Sequence, residues 1–225
     1  MPYTAEHPLR VAVLASGEGS NLQALLDTCD AASPARVVLV ASDRGEARAL
    51  TRARTAGAAT HHITVPSDGP ALLNVLARHA VQLVVLAGYL KLVPADVVAA
   101  FSGRMINIHP ALLPAFGGHG MYGKRVHQAV LASGATLSGA TVHLVNAEYD
   151  RGPIVAQWPV PVRPDDTPES LAARVLDVEH RLLPAVVLAA ARAGGVVPLA
   201  PTADFGMPDL MEPPGTSRGS GKAKC

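Results

Sequence analysis

The order of apolar and polar segments predicts an α/β fold: a Rossmann-like, mostly parallel twisted sheet with helices on both faces. Two observations carry this. Five short apolar runs alternate with segments at helical spacing, the pattern of a sheet buried on both sides. Three polar or Gly-rich stretches, at residues 16–21, residues 88–91 and His109, fall just past the ends of those runs. Open α/β sheets carry their sites at the carboxyl ends of their strands, so the three stretches can converge.

Residues 10–14 form the first apolar run and predict a buried strand. Ser16, Gly17, Glu18, Gly19, Ser20 and Asn21 follow, and then residues 22–27 at helical spacing. Strand, Gly-rich turn and helix start is a phosphate-cradling arrangement. Glycine lets the backbone come close, and the helix N-terminus offers free N–H groups. Ser20 or Asn21 suits the helix cap. The turn is not the dinucleotide pattern, because Leu22 stands at the third glycine position, and no Gly-Lys-Ser/Thr makes it a P-loop. A tight turn that binds nothing is the competing reading.

Residues 36–41 predict a second buried strand ending in Ser42 and Asp43. Residues 45–56 read as a helix with Gly57 at its stop. Residues 60–63 are a short third strand, on which the adjacent His61 and His62 face opposite sides and make a poor metal pair. A turn at 66–70 precedes a short helix at 71–79. Residues 82–87 are the fourth strand, and residues 94–100 a short helix.

Residues 105–110 organise the chain. Met105, Ile106, Asn107, Ile108 and His109 alternate apolar with polar, which predicts a strand whose Asn107 and His109 share a face. Pro110 has no N–H and ends it. An amide donor beside an imidazole can hold a developing oxyanion, and ordinary hydrogen bonding at a strand end is the alternative. Residues 117–123 form a Gly-rich loop carrying His119 and Tyr122, and residues 125–133 a helix. Residues 136–145 are a strand containing His143, and 154–162 a further strand limited by Pro159 and Pro161. Thr167 and Pro168 open a long helix through Glu179 and His180, with a kink expected at Pro184. Residues 1–200 are expected to be one domain, and residues 201–225, rich in Pro, Gly, Ser and Lys, a flexible tail.

Composition narrows the function classes. With 49% hydrophobic and 4% aromatic residues, the 225-residue chain can build a large core of Ala, Val and Leu. A net charge of +1 gives no electrostatic case for nucleic acid or an anionic membrane. Apolar stretches broken by Lys91 and Arg192 argue against a spanning helix. Cys29 and Cys225 form no framework and suit a reducing compartment, and the first residues do not read as a signal peptide, so a cytoplasmic location is expected. His109, His119, His127 and His143 lack short ligand spacing, so no metal is expected.

The ordered motifs resemble a known family. Residues 16–22, residues 86–90, residues 107–114, His143 and the Asp150, Arg151, Gly152, Pro153 turn look like those of the folate-dependent phosphoribosylglycinamide formyltransferases, over about residues 8–195. The resemblance implies formyl transfer from 10-formyltetrahydrofolate, as cosubstrate, to the amine of glycinamide ribonucleotide in purine synthesis. It implies that Gly19, Ser20 and Asn21 hold the substrate phosphate, that Asn107, His109 and Asp150 are catalytic, and that His143 supports them. It implies a folate cleft at Leu90, Lys91, Leu92 and Val93, at Asn107, and at the turn of Asn146, Ala147, Glu148, Tyr149 and Asp150. Glu179 is implied to contact the ribonucleotide.

Two departures bear on ligand binding. The family often has Arg where Lys91 stands, and residues 67–70 carry no counterpart of a second Arg, so bidentate carboxylate contacts are lost. The 117–123 loop is also longer than the common pattern, and its His119 either lines the site or caps the loop. The chemistry fits the residue types: an amine attacks a formyl carbon, Asn107 and protonated His109 stabilise the oxyanion, and a nearby carboxylate favours the charged imidazole. The rival readings are a methionyl-tRNA formyltransferase, which would need a basic RNA-binding region, a formyltetrahydrofolate hydrolase, and a non-catalytic nucleotide-binding module. The expected partners are small molecules only, with the protein a monomer or homodimer.

Overall fold

The computed structural model describes residues 1–199, so the tail expected at 201–225 lies outside the described residues. Strands β1 (Leu9–Leu14), β2 (Ala35–Ser42), β3 (Ala59–His62), β4 (Leu83–Leu86), β5 (Met105–His109), β6 (Leu137–Leu144) and β7 (Ile154–Pro161) form one sheet in the order β3-β2-β1-β4-β5-β6-β7. The first five are parallel, while β6 and β7 are antiparallel to their neighbours. Helices α1 (Ser20–Thr28), α2 (Arg48–Thr55), α3 (Gly69–Arg78), α4 (Ala95–Ala100), α5 (Lys124–Ala132) and α6 (Pro168–Ala193) complete the fold.

Period two divides the sheet's side chains between two cores. Val11, Val13, Leu83, Val85, Ile106 and Ile108 face the layer containing Leu22 and Leu25 of α1 and Leu182 and Leu183 of α6. Ala12, Leu14, Val84, Leu86 and Met105 face the layer of Leu72 and Leu76 of α3 and Val97 of α4. Each large aliphatic side chain fully buried in this way contributes about 1.5–3 kcal/mol. Asn107 and His109 share the parity of Met105, as the alternation predicts.

The helix signals act locally. Asp68 caps α3 by accepting the Ala71 N–H at 2.9 Å, with Pro70 in the first turn. Thr167 and Ser170 form a reciprocal capping box at α6, with Pro168 in its first turn. Helix α1 differs from expectation: its cap is Gly19, with φ +70°, and Ser20 and Asn21 belong to the first turn. That frees the Asn21 side chain for other work. Helix α6 continues through Pro184, because Leu182, Leu183, Val186 and Val187 on either side of it are all buried.

Thr141 fixes the chain just after β5. Its fully buried hydroxyl donates to the Ala111 carbonyl at 2.6 Å and accepts the Leu113 N–H at 3.1 Å and the Gln157 amide at 3.0 Å. Thr141→Val keeps the shape and leaves these groups unpaired. It should cost about 3 kcal/mol and lower Tm by roughly 10 °C, as read by calorimetry. An unchanged Tm would mean that the 110–114 segment is held by other contacts.

Candidate active site

The strand order reverses between β1 and β4, and a cleft of about 810 Å³ opens at the carboxyl ends of these strands. Such a volume suits small-molecule ligands. Gly17, Glu18, Gly19, Ser20 and Asn21 line one end, and Asn107, His109, His143 and Asp150 line its middle. The three stretches that the sequence placed past strand ends therefore do converge.

Asp150 sits among four groups. Its carboxylate accepts the Gly118 N–H at 2.9 Å and an Asn107 amide N–H at 3.3 Å. Nδ1 of His109 lies 3.5 Å away and Nε2 of His143 3.4 Å away. Burial pushes its carboxyl up, but the hydrogen bonds it accepts and the two imidazoles beside it outweigh burial and hold it below the usual carboxylate range. His143 donates from Nδ1 to the Leu144 carbonyl at 2.9 Å, which leaves its Nε2 to accept from Asn107 at 3.0 Å. His143 thus positions the amide.

His109 is 4% exposed, so every group around it counts. Its Nε2–H donates to the Phe116 carbonyl at 2.8 Å, and its Nδ1 faces Asp150. Burial pulls its pKa below the ordinary value; Asp150 and the Phe116 carbonyl push it back up, and His143 pulls it down. The carboxylate acts in the expected direction, but burial is the larger effect. Both groups that hold His109 have unusual backbones. Phe116 has φ +55° and Asp150 φ +56°, left-handed conformations that non-glycine residues rarely adopt. The turn after Asp150 also requires Gly152, since a Cβ there would lie 1.7 Å from the Leu144 carbonyl oxygen.

At the other end, Gly19 is required twice: by its positive φ, and because a Cβ would meet Ala49 at 2.9 Å. The first bond of α1 runs from the Gln23 N–H to the Gly19 carbonyl at 2.9 Å, so the N–H groups ahead of it are those a helix start leaves for other partners. Asn21 donates to buried Glu179 at 2.8 Å, and Glu179 also lines the cleft. Burial pushes Glu179 up to about 7, with the Asn21 bond drawing it slightly back.

The apolar wall consists of Leu86, Leu90, Leu92, Val93 and Val145, joined by Lys91, Asn146, Glu148 and Tyr149. Leu90 and Leu92 are exposed large hydrophobic residues here, which marks a ligand-facing surface. Ala147 shares the turn and is exposed. His119 does line the cleft, and its ring stands edge-on to Tyr149 at 5.7 Å.

Sequence reading placed Ser16 in a converging stretch and named Asp43 and His127, but it gave none of these three its contact here and had no place for the Phe116 carbonyl. Ser16 and Asp43 join the strand ends by a 2.6 Å bond; both follow apolar runs, and that position was their signal. His127 of α5 also lines the cleft, with its buried Nδ1 unpaired. The Phe116 carbonyl had no signal, since any residue supplies one. No cluster of three or more His, Cys, Asp or Glu that could hold a metal ion occurs among the described residues. Nor is any described helix long and apolar enough to cross a membrane.

The fold and this constellation define a class. The sequence model of the formyl transferase family matches residues 9–187, and the chain belongs to that family. Within the family it is 47% identical over 186 residues to the chloroplastic phosphoribosylglycinamide formyltransferase of Arabidopsis thaliana, covering 79% of this chain and 64% of that protein. The chain thus spans just under two thirds of that plant relative. It is 43% identical to the phosphoribosylglycinamide formyltransferase of Mycobacterium tuberculosis, over 84% of this chain and 88% of that one. The crystal structure of phosphoribosylglycinamide formyltransferase from Anaplasma phagocytophilum superposes with a TM-score of 0.79 at 36% identity, covering 88% of this chain and 96% of that one.

The raised Glu179 pKa makes a stability prediction. The folded value of about 7 lies above the ordinary 4.5, so between these values the folded state binds more protons at this position. Its contribution to stability is therefore lost as pH rises through that window. Glu179→Gln keeps an acceptor for Asn21 and cannot ionise. Relative to wild type it should gain up to roughly 3 kcal/mol between about pH 5 and about pH 8. Parallel stability curves for the two proteins would show that Glu179 ionises normally in the fold.

Proposed function

We propose that this chain transfers a formyl group from 10-formyltetrahydrofolate to the amine of 5′-phosphoribosylglycinamide, in de novo purine biosynthesis. The observation that carries this is the joining, in one cleft, of a phosphate-cradling turn at Gly19, Ser20 and Asn21 with the Asp150-centred group of Asn107, His109 and His143. The identity to phosphoribosylglycinamide formyltransferases over most of the chain supports it. The ribonucleotide phosphate lies on the turn, beside Glu179. The flat folate ring fits the apolar wall from Leu90 to Val93 and the turn of Asn146, Glu148, Tyr149 and Asp150. Lys91 faces the anionic end of the folate as a point charge, without the fork geometry of arginine.

Each group has one task. The substrate amine attacks the formyl carbon, and negative charge grows on the formyl oxygen. Asn107 turns the proton of its longer bond, the one to Asp150, towards that oxygen. His109 exchanges its Phe116 acceptor for the same oxygen. The attacking amine loses a proton and the folate nitrogen gains one as its bond to the formyl carbon breaks, with Asp150 supporting positive charge on His109 meanwhile. His143 keeps the Asn107 amide in register. No residue of this chain forms a covalent bond to substrate. The working unit is residues 1–200.

The deciding experiment follows tetrahydrofolate release spectroscopically. Release that requires glycinamide ribonucleotide supports the proposal. Release without any acceptor would mean a hydrolase, release only with charged initiator tRNA a tRNA formyltransferase, and no release a binding module. For mechanism, Asp150→Asn keeps shape and removes charge. It should lower kcat about a hundredfold, the scale of losing one oxyanion contact. The His109 pKa should fall further, since the carboxylate is what pushes it up. The KM for the ribonucleotide should hold within a few-fold. Titration of His109 by NMR alongside the pH–rate profile checks this, and near-normal kcat with an unmoved titration would remove Asp150 from the mechanism.

A further inference from the structure

Three successive carbonyls of the 17–20 turn are pinned towards α2 and α1, away from the cleft. The Gly17 carbonyl accepts the Ala49 N–H at 3.1 Å. The Glu18 carbonyl accepts Nε–H of Arg52 at 2.8 Å. The Gly19 carbonyl accepts the Gln23 N–H at 2.9 Å. In a trans peptide the N–H of the next residue points opposite to the carbonyl, because the unit is planar. Pinning the carbonyls of 17, 18 and 19 therefore aims the N–H groups of Glu18, Gly19 and Ser20 the other way, towards the cleft these residues line. Successive N–H groups aimed into one concavity make an anion-binding nest.

Two of the three pins are backbone groups of neighbouring helices and come with the fold. The middle one is a side chain. Arg52 is itself braced, since a second guanidinium nitrogen donates to Gln23 Oε1 at 3.0 Å, and Gln23 donates to Asp27 at 2.8 Å. Arg48, one turn earlier on α2, pairs with the exposed Glu18 carboxylate, at 2.8 Å and with both side chains 69% exposed. Such a pair adds little stability and does not touch the peptide plane.

We propose that Arg52 is a positioning residue for phosphate recognition: its bond to the Glu18 carbonyl sets the plane of the Glu18–Gly19 peptide and so aims the Gly19 N–H at the phosphate. This rests on the assignment of the turn as the phosphate site. Arg52 touches no substrate. Its side chain lies on the far side of the turn, and its effect passes through one peptide group.

The test uses the full chain and three variants. Arg52→Met removes the pin; Arg52→Lys keeps a donor that can reach the Glu18 carbonyl. Arg48→Met removes the same charge beside the same turn and leaves the pin, so it separates orientation from long-range attraction. The readouts are KM for the ribonucleotide, KM for the folate, kcat, Tm, and the shift of the Gly19 amide resonance on titration with inorganic phosphate. Arg52→Met should raise the ribonucleotide KM about tenfold, the scale of one misdirected bond to a charged group, and weaken the phosphate response similarly. Folate KM and kcat should stay within about twofold of wild type, by the same reasoning. Arg52→Lys should recover most of the loss, and Arg48→Met should show little. Equal losses in Arg52→Met and Arg48→Met would overturn the inference in favour of simple charge attraction. A wild-type phosphate response that Arg52→Met leaves unchanged would overturn it alone. A wild-type protein whose Gly19 amide ignores phosphate would overturn the phosphate assignment and the inference together. Should Arg52→Met melt far below wild type, Arg52→Lys against Arg48→Met still decides: a lysine variant at least as impaired as Arg48→Met, and more than about threefold from wild type, overturns it.

Discussion

Ser16 holds the place where the sheet reverses direction. Its N–H donates to the Gly88 carbonyl at 3.0 Å, its hydroxyl donates to Asp43 at 2.6 Å, and the same oxygen accepts the Leu90 N–H at 3.0 Å. One buried residue thereby joins the ends of β1, β2 and β4. Everything on either side of the cleft is measured from it. Gly17 to Asn21 run on from Ser16 into the turn proposed to hold the phosphate, and Leu90 begins the apolar wall. A crevice at a strand-order reversal is a general property of open parallel sheets. What is particular here is that a single hydroxyl, with donor and acceptor both used, sets its width.

The second half of the site is held by strain rather than by a strand end alone. Phe116 and Asp150 take left-handed backbones to bring a carbonyl and a carboxylate against the two nitrogens of His109. Conformations of this kind cost on the order of 1–3 kcal/mol each and persist only where the surroundings enforce them. The enforcement is visible: Gly118 N–H clamps Asp150, Gly152 lets the turn close on Leu144, and Thr141 anchors the segment leading to Phe116. The network connects the loop after β5 with the turn between β6 and β7, so each loop stabilises the other's strained residue.

Much of this was legible in the chain, and the boundary is physical. Continuous apolar runs located β1, β2 and β4, which are buried on both faces, while alternation, turn residues and proline stops marked the other strands. The alternation around Asn107 is enough to place its side chain and that of His109 on one face. The α1 cap was misread because Ser20 and Asn21 have capping side chains, while a left-handed glycine serves the same end through backbone geometry. Arg52 and the Phe116 carbonyl left no trace in the sequence. Each acts through contacts with residues distant along the chain or through a backbone atom that every residue has.

The two oxyanion donors, Asn107 and His109, both have acceptors within the protein. Both N–H groups of Asn107 have acceptors, at His143 and Asp150, and the Nε2–H of His109 has the Phe116 carbonyl. A substrate oxygen must therefore displace a protein acceptor to be bound. A neutral formyl oxygen competes poorly with a carboxylate and a well-placed carbonyl, so it gains little in the ground state. In the proposed reaction, as the amine attacks and the same oxygen becomes negative, it becomes the stronger acceptor and takes the donors over. The interaction thus strengthens where the barrier lies, the condition under which binding energy raises kcat. Burial adds to this: it lowers the His109 pKa, and a developing anion beside the ring would favour the charged form. In the proposed reaction, the same displaced acceptors keep the donors aligned between turnovers and make the site selective for the oxyanion over the formyl group.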